Sequence, residues 1–113
     1  VDLTQLPKTL EKLSLRNTKL DGSVDLTKLP DSLVHLLLMG NRFSCSIDLT
    51  QLPQGMTDLG LSQNSFEGEI DFSLLPDLSR FSVVDTNLSG EVFEFHGRYL
   101  GINNSNVKDM REI

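Results

Sequence analysis

Apolar and polar positions along this chain follow a pattern that returns every 23 residues. The prolines mark it, since Pro7, Pro30, Pro53 and Pro76 are spaced 23 apart in succession. A fixed period in this range is the signature of a solenoid, whose units bury their apolar faces only against one another. The units run 1–23, 24–46, 47–69 and 70–91, the fourth being one residue short just after Pro76, and a degenerate terminal unit fills 92–113.

Within each unit, apolar residues two apart predict a short strand with one buried face. These are Leu13 and Leu15, Leu36 and Leu38, Leu59 and Leu61, and Phe81 and Val83, with Leu100 and Ile102 in the degenerate unit. A constant period stacks such strands as neighbours in one parallel sheet. Beyond each strand, Thr18, Asn41, Asn64 and Thr86 take an inward position, where a polar side chain satisfies the backbone groups of a turn. A second alternation, Val24-Asp25-Leu26-Thr27, recurs from Val1, Ile47 and Ile70. It predicts a second short strand on the opposite side, ended by the Leu-Pro step because proline cannot donate to a ladder.

Composition narrows the picture. A chain of 113 residues fits one domain. It contains no alanine, holds 21 leucines and has few helix-period stretches, which argues against a helical bundle. The longest apolar run, Leu36 to Met39, is far short of a membrane span. With a net charge of −6 and a pI near 4.7, nucleic acid is excluded as a partner. The lone Cys45 rules out an intramolecular disulfide framework and a Cys-based zinc site. The chain starts at Val1 with no visible signal peptide and is read as a processed product or a fragment. Two glycosylation sequons, at Asn87 and Asn103, leave the compartment open between the cell surface and the cytoplasm.

The string LxxLxLxxNxLxGxI, fullest over Leu33 to Ile47 and Met56 to Ile70, resembles the leucine-rich repeat. Its Gly-x-Ile ending is similar to the repeats of plant receptor ectodomains, and the IDLTxLP continuation to those of kinetoplastids and other protists. The resemblance implies an α/β-type repeat solenoid with little regular helix. It would be a right-handed superhelix with a parallel sheet on its concave face and short second strands or turns opposite. Departures from the pattern are Cys45 in place of the glycine found at Gly22, Gly68 and Gly90, and Gly97 in place of the first strand leucine of the terminal unit. The eroded terminal unit reads as the end of the stack, whereas the first unit has no comparable cap and family-type Cys-rich caps are missing.

The resemblance also implies that the sheet lines a binding face. Residues flanking the strand leucines form columns there, the first being Lys12, His35, Asp58, Arg80 and Tyr99. Ser14, Leu37, Gly60, Ser82 and Gly101 form the second, Arg16, Met39, Ser62, Val84 and Asn103 the third, and Asn17, Gly40, Gln63, Asp85 and Asn104 the last. Asp58 between His35 and Arg80 has two readings, an internal ion pair or a set of groups that meet a partner, Arg and Tyr being enriched at interface hot spots. Leu37, Met39 and Val84 are expected as an exposed apolar patch, whether a partner surface or an incidental one.

On the other side, Asp2, Asp25, Asp48 and Asp71 form a carboxylate column. Calcium is one reading of it; the preferred one has each Asp capping the backbone beside Thr4, Thr27, Thr50 or Ser73. Catalysis finds no motif: His35 and His96 lack metal-ligand spacing, and Cys45 is read as a small buried filler with no general base beside it. No cofactor or metal is expected. The leading functional reading is a protein–protein interaction module or scaffold that binds a protein partner through Lys12, Arg16, His35, Leu37, Met39, Asp58, Arg80, Val84 and Tyr99. The alternatives are a spacer segment of a longer array, or the sensing segment of a larger receptor or enzyme. The uncapped first repeat also predicts self-association through its open sheet edge.

Overall fold

The computed structural model describes residues 1–111; Glu112 and Ile113, which end the expected terminal unit, lie outside the described residues. In chain order the strands are β1 (Lys12–Ser14), β2 (Asp21–Gly22), β3 (His35–Leu37), β4 (Arg42–Phe43), β5 (Asp58–Gly60) and β6 (Glu67–Ile70). A single 3-10 turn, Phe72–Leu74, precedes β7 (Arg80–Ser82), β8 (Asn87–Val92), β9 (Tyr99–Gly101) and β10 (Asn106–Asp109). The chain is a parallel-strand β-solenoid of about five turns with almost no helix, as the repeat predicts.

One sheet takes a strand from each unit in the order β1-β3-β5-β7-β9, all parallel. Its register is the expected one: Leu13 pairs with Leu36, Leu36 with Leu59, Leu59 with Phe81 and Phe81 with Leu100. Leu36, Leu38, Leu59, Leu61, Phe81 and Val83 are buried beneath it. Leu13 and Leu15, on the edge strand β1, are only half-buried. The period-23 prolines make the turn into this sheet. The carbonyls of Pro7, Pro30 and Pro53 accept from the amides of Leu10, Leu33 and Met56, three residues on. In the shortened fourth unit the Pro76 carbonyl instead accepts from Leu78, two residues on, so the deletion is absorbed by a tighter turn.

The second strands lie elsewhere than the alternation predicts. They occupy the Leu-x-Gly-x-Ile segments, as β2 with β4 and as β6, β8 and β10, with only an isolated bridge from Ser46 to Glu67 between the two groups. The Val24-Asp25-Leu26-Thr27 segment and its equivalents form no ladder of their own; Ile70 alone among their residues is paired, as the last residue of β6. In each, the Asp Oδ1 accepts the backbone amide two residues on, at 2.8 Å for Thr4, Thr27 and Thr50 and 3.0 Å for Ser73. A short polar side chain that captures a backbone amide competes with strand pairing, and here it wins. The alternation still reports burial correctly, since Val24, Leu26, Ile47 and Leu49 all lie in the core.

Register in this second layer falls two residues short of the first at every step: Asp21 pairs with Arg42, Glu67 with Asn87 and Ser89 with Asn106. An even slip leaves every side chain on its own face. Phe43, Phe66 and Leu88 therefore all point inward and are fully buried, and the rings of Phe43 and Phe66 stack with centroids 5.5 Å apart. Between the two layers runs a column of polar side chains. The Asn41 amide donates to the carbonyls of Leu15 at 2.8 Å and Leu38 at 2.9 Å, while its oxygen accepts from the Thr18 and Leu20 amides. Asn64 repeats the motif one turn on, donating to Leu38 and Leu61 and accepting from Phe43. The Thr86 and Ser105 hydroxyls continue it by donating to Val83 and Ile102. Thr18 takes the equivalent place on the first turn, bonded to Asn41 and the Leu15 carbonyl, but is exposed.

Candidate interaction face

The outer face of the five-stranded sheet carries the columns the repeat predicts. In the first, Lys12, His35, Asp58, Arg80 and Tyr99 stand side by side in register, on strands about 4.8 Å apart. His35 Nδ1 lies 3.3 Å from Asp58 Oδ1, and the Thr57 hydroxyl donates to the same oxygen at 2.9 Å. Asp58 is thus taken up by His35. Among the described residues no carboxylate lies within ion-pair distance of Lys12, Arg16 or Arg80. The three-column face accordingly holds three cations against one carboxylate, on a chain whose net charge is −6.

The second and third columns interlock around two glycines. Gly60 is buried although its position faces outward, because Met39 from the preceding unit reaches across it. A Cβ on Gly60 would stand 2.5 Å from Met39 Cε and 3.5 Å from Leu37 Cδ2. Gly101 makes a similar seat, with the Tyr99 hydroxyl 2.6 Å and Val84 Cγ2 2.9 Å from where its Cβ would be. Between the two seats the Ser62 and Ser82 hydroxyls share a short hydrogen bond. Leu37, Met39 and Val84 are therefore half-buried, and they form two separate ridges, Leu37 with Met39 and Val84 with Tyr99. Tyr99 is 53 % exposed and is the large apolar surface that this face offers most openly.

A last column rims the face with left-handed turns. Asn17, Gly40, Gln63, Asp85 and Asn104 all have positive φ, between 55° and 76°. A Cβ at Gly40 would fall 1.9 Å from Asn17 Oδ1, so a side chain there would have to displace the Asn17 amide. At the far end the Asn104 amide donates to Asp85 Oδ1 at 2.7 Å. The two glycine seats and this left-handed rim were not legible in the sequence. Small residues at 60 and 101, set beside Met39 and Tyr99, were the available signal.

The aspartate column opposite is occupied by its own turns. Thr4, Thr27 and Thr50 donate through hydroxyl as well as amide, and these bonds hold Asp2, Asp25 and Asp48 below the ordinary aspartate pKa. Among the described residues no three His, Cys, Asp or Glu side chains are grouped to hold a metal ion. His96 meets only Glu94, at 3.5 Å, and Cys45 is half-buried against the core. The backbone at Cys45 does not share the positive φ of Gly22, Gly68 and Gly90, so the cysteine sits in a differently shaped turn. No helix among the described residues is long and apolar enough to cross a membrane. No protein-family model, curated protein or solved structure matches the chain.

Proposed function

We propose that this chain is a leucine-rich-repeat type interaction module, a scaffold that takes a protein partner on the outer face of its five-stranded sheet. The observation that carries this reading is charge segregation. Among the described residues Lys12, Arg16 and Arg80 have no ion-pair partner beside the Tyr99 and Leu37–Met39 ridges, while the aspartate column lies on the other side. Unpaired Arg and exposed Tyr on a rigid sheet are the residue types that anchor interfaces, and cations steer an acidic partner to the face. The reading is a non-catalytic one: among the described residues His35 stands against Asp58 and His96 against Glu94, and neither pair includes Cys45.

Selecting a randomised peptide library on the immobilised chain tests this. Enriched peptides should be acidic and should lose binding to an Arg80→Glu, Tyr99→Ser variant. Peptides that bind the variant equally well would remove the sheet face from consideration.

A second reading, a segment stacked against further units or against another copy, is favoured by the first turn of the solenoid. Leu13, Leu15 and Leu20 are half-buried where their equivalents Leu36, Leu38 and Phe43 are fully buried, and β1 presents an unpaired edge. Light scattering across a concentration series separates the two readings, since stacking through this end raises the mass and a Lys12→Pro change on β1 abolishes the rise.

A further inference from the structure

On the side remote from the five-stranded sheet the chain opens a groove where its regularity fails. The connections into the sheet from Val24 to His35, Ile47 to Asp58, Ile70 to Arg80 and Val92 to Tyr99 span 11, 11, 10 and 7 positions. In the first two, Leu26, Leu29, Leu49 and Leu52 are buried and fill the layer. The last connection, Phe93-Glu94-Phe95-His96-Gly97, has neither the Asp-Leu-Thr turn nor the proline, and is too short to cover the layer beneath it. Phe72 and Leu75 are left half-buried, and a groove of about 710 Å³ opens over them. Phe95 lines it half-buried, and Phe93 stands at it 62 % exposed.

The charged lining of this groove is acidic. Glu69, Asp71, Asp77, Glu91 and Glu94 line it together with Ser73 and His96, and among the described residues no Lys or Arg does. Asp71 is engaged by Ser73 and Glu94 by His96. The side chains of Glu69, Asp77 and Glu91 have no hydrogen-bond or ion-pair partner among the described residues, and Arg98, in the adjoining recess, pairs with none of them. Carboxylates around an aromatic wall complement a cation carried beside an apolar group, because the ring faces attract the cation and the apolar group covers the rings. The volume is that of an ordinary ligand groove, which runs from about 300 to 1,000 Å³.

We propose that this groove docks a basic peptide segment of a partner protein, with Lys or Arg among Glu69, Asp77 and Glu91 and an apolar side chain on Phe72 and Phe93. It is separate from the sheet face, so either site stands if the other falls.

Fluorescence anisotropy of the 113-residue chain with a labelled ten-residue Lys–Leu peptide, and its Glu–Leu counterpart, tests the assignment. The Lys–Leu peptide should bind and the Glu–Leu peptide should not. Affinity should fall at least about tenfold in a Glu69→Lys, Glu91→Lys variant and again in Phe93→Ser, which alters an exposed ring and leaves the fold intact. It should stay within about twofold in Asp21→Lys, Asp31→Lys, the same charge change at exposed positions outside the groove, and in Arg80→Glu on the sheet face. An equal loss in the Asp21→Lys, Asp31→Lys variant would reduce the effect to general attraction by an acidic chain. Absence of binding, or a doubling of mass by light scattering that displaces the peptide, would overturn the proposal.

Discussion

The Asn64 side-chain amide donates to the Leu38 carbonyl, one turn of the solenoid below it, at 2.9 Å. The same nitrogen donates to Leu61 at 3.2 Å and Ser62 at 3.1 Å, and Asn64 Oδ1 accepts from the Phe43 amide. One buried carboxamide therefore ties two units together through backbone groups. Removing it leaves the Leu61 carbonyl and the Phe43 amide unsatisfied, while the Leu38 carbonyl keeps its bond from Asn41 and the Ser62 carbonyl its bond from the Gly40 amide. A buried unsatisfied group costs more than its bond contributes.

Asn64→Ala should destabilise the chain by about 3 kcal/mol, measured by urea unfolding with an unchanged slope. Thr18→Val, at the exposed first position of the same column, should cost under about 1 kcal/mol because water replaces what is lost. Equal costs would mean that the column does not couple the units.

Two glycines of the second layer separate backbone strain from crowding. Gly22 and Gly90 both have positive φ, at 79° and 137°. A Cβ at Gly22 would meet open space, whereas one at Gly90 would stand 2.6 Å from the carbonyl oxygen of its strand partner Ile70. Gly22→Ala should therefore cost about 1 kcal/mol and Gly90→Ala about 3 kcal/mol or more. Thermal melts of the two variants, compared with the parent chain, check the order.

The first sheet was legible in the sequence down to its register, because a strict period combined with residues two apart leaves one way to stack the strands. Asn41 and Asn64 were legible for a related reason: an amide at an inward position has to bond to turn backbone. What misled was the Ile-Asp-Leu-Thr alternation, which reports burial but not pairing, and Asp48 with Thr50 shows why. A side-chain oxygen that accepts the amide two residues on closes a turn in the place of a ladder. Nor did alternation alone show that Met39 would fold down over Gly60, because a glycine's free face is taken by whichever long side chain reaches it.

Acid should weaken the fold through these turns. Hydrogen bonds from Thr27 and Thr50 depress the folded pKa values of Asp25 and Asp48 below 3.8, and Arg111 holds Asp109 at about 2 through its side chain and amide. A depressed folded pKa gives stability that is present above 3.8 and lost as pH falls through the folded value. Urea midpoints should therefore decline as pH drops from 3.8 toward about 2. Thr27→Val with Thr50→Val should flatten that decline, and an unchanged slope would show that the turns are not its source.

The sheet face as partner surface is tested most directly by site-specific photo-crosslinking. A benzophenone side chain at Tyr99, 53 % exposed on that face, is compared with one at exposed Asp25 on the side opposite, away from the groove. With the chain bound to a library-selected acidic peptide, the account predicts an adduct from position 99 and none from position 25. An adduct from position 25 with none from position 99 would contradict it.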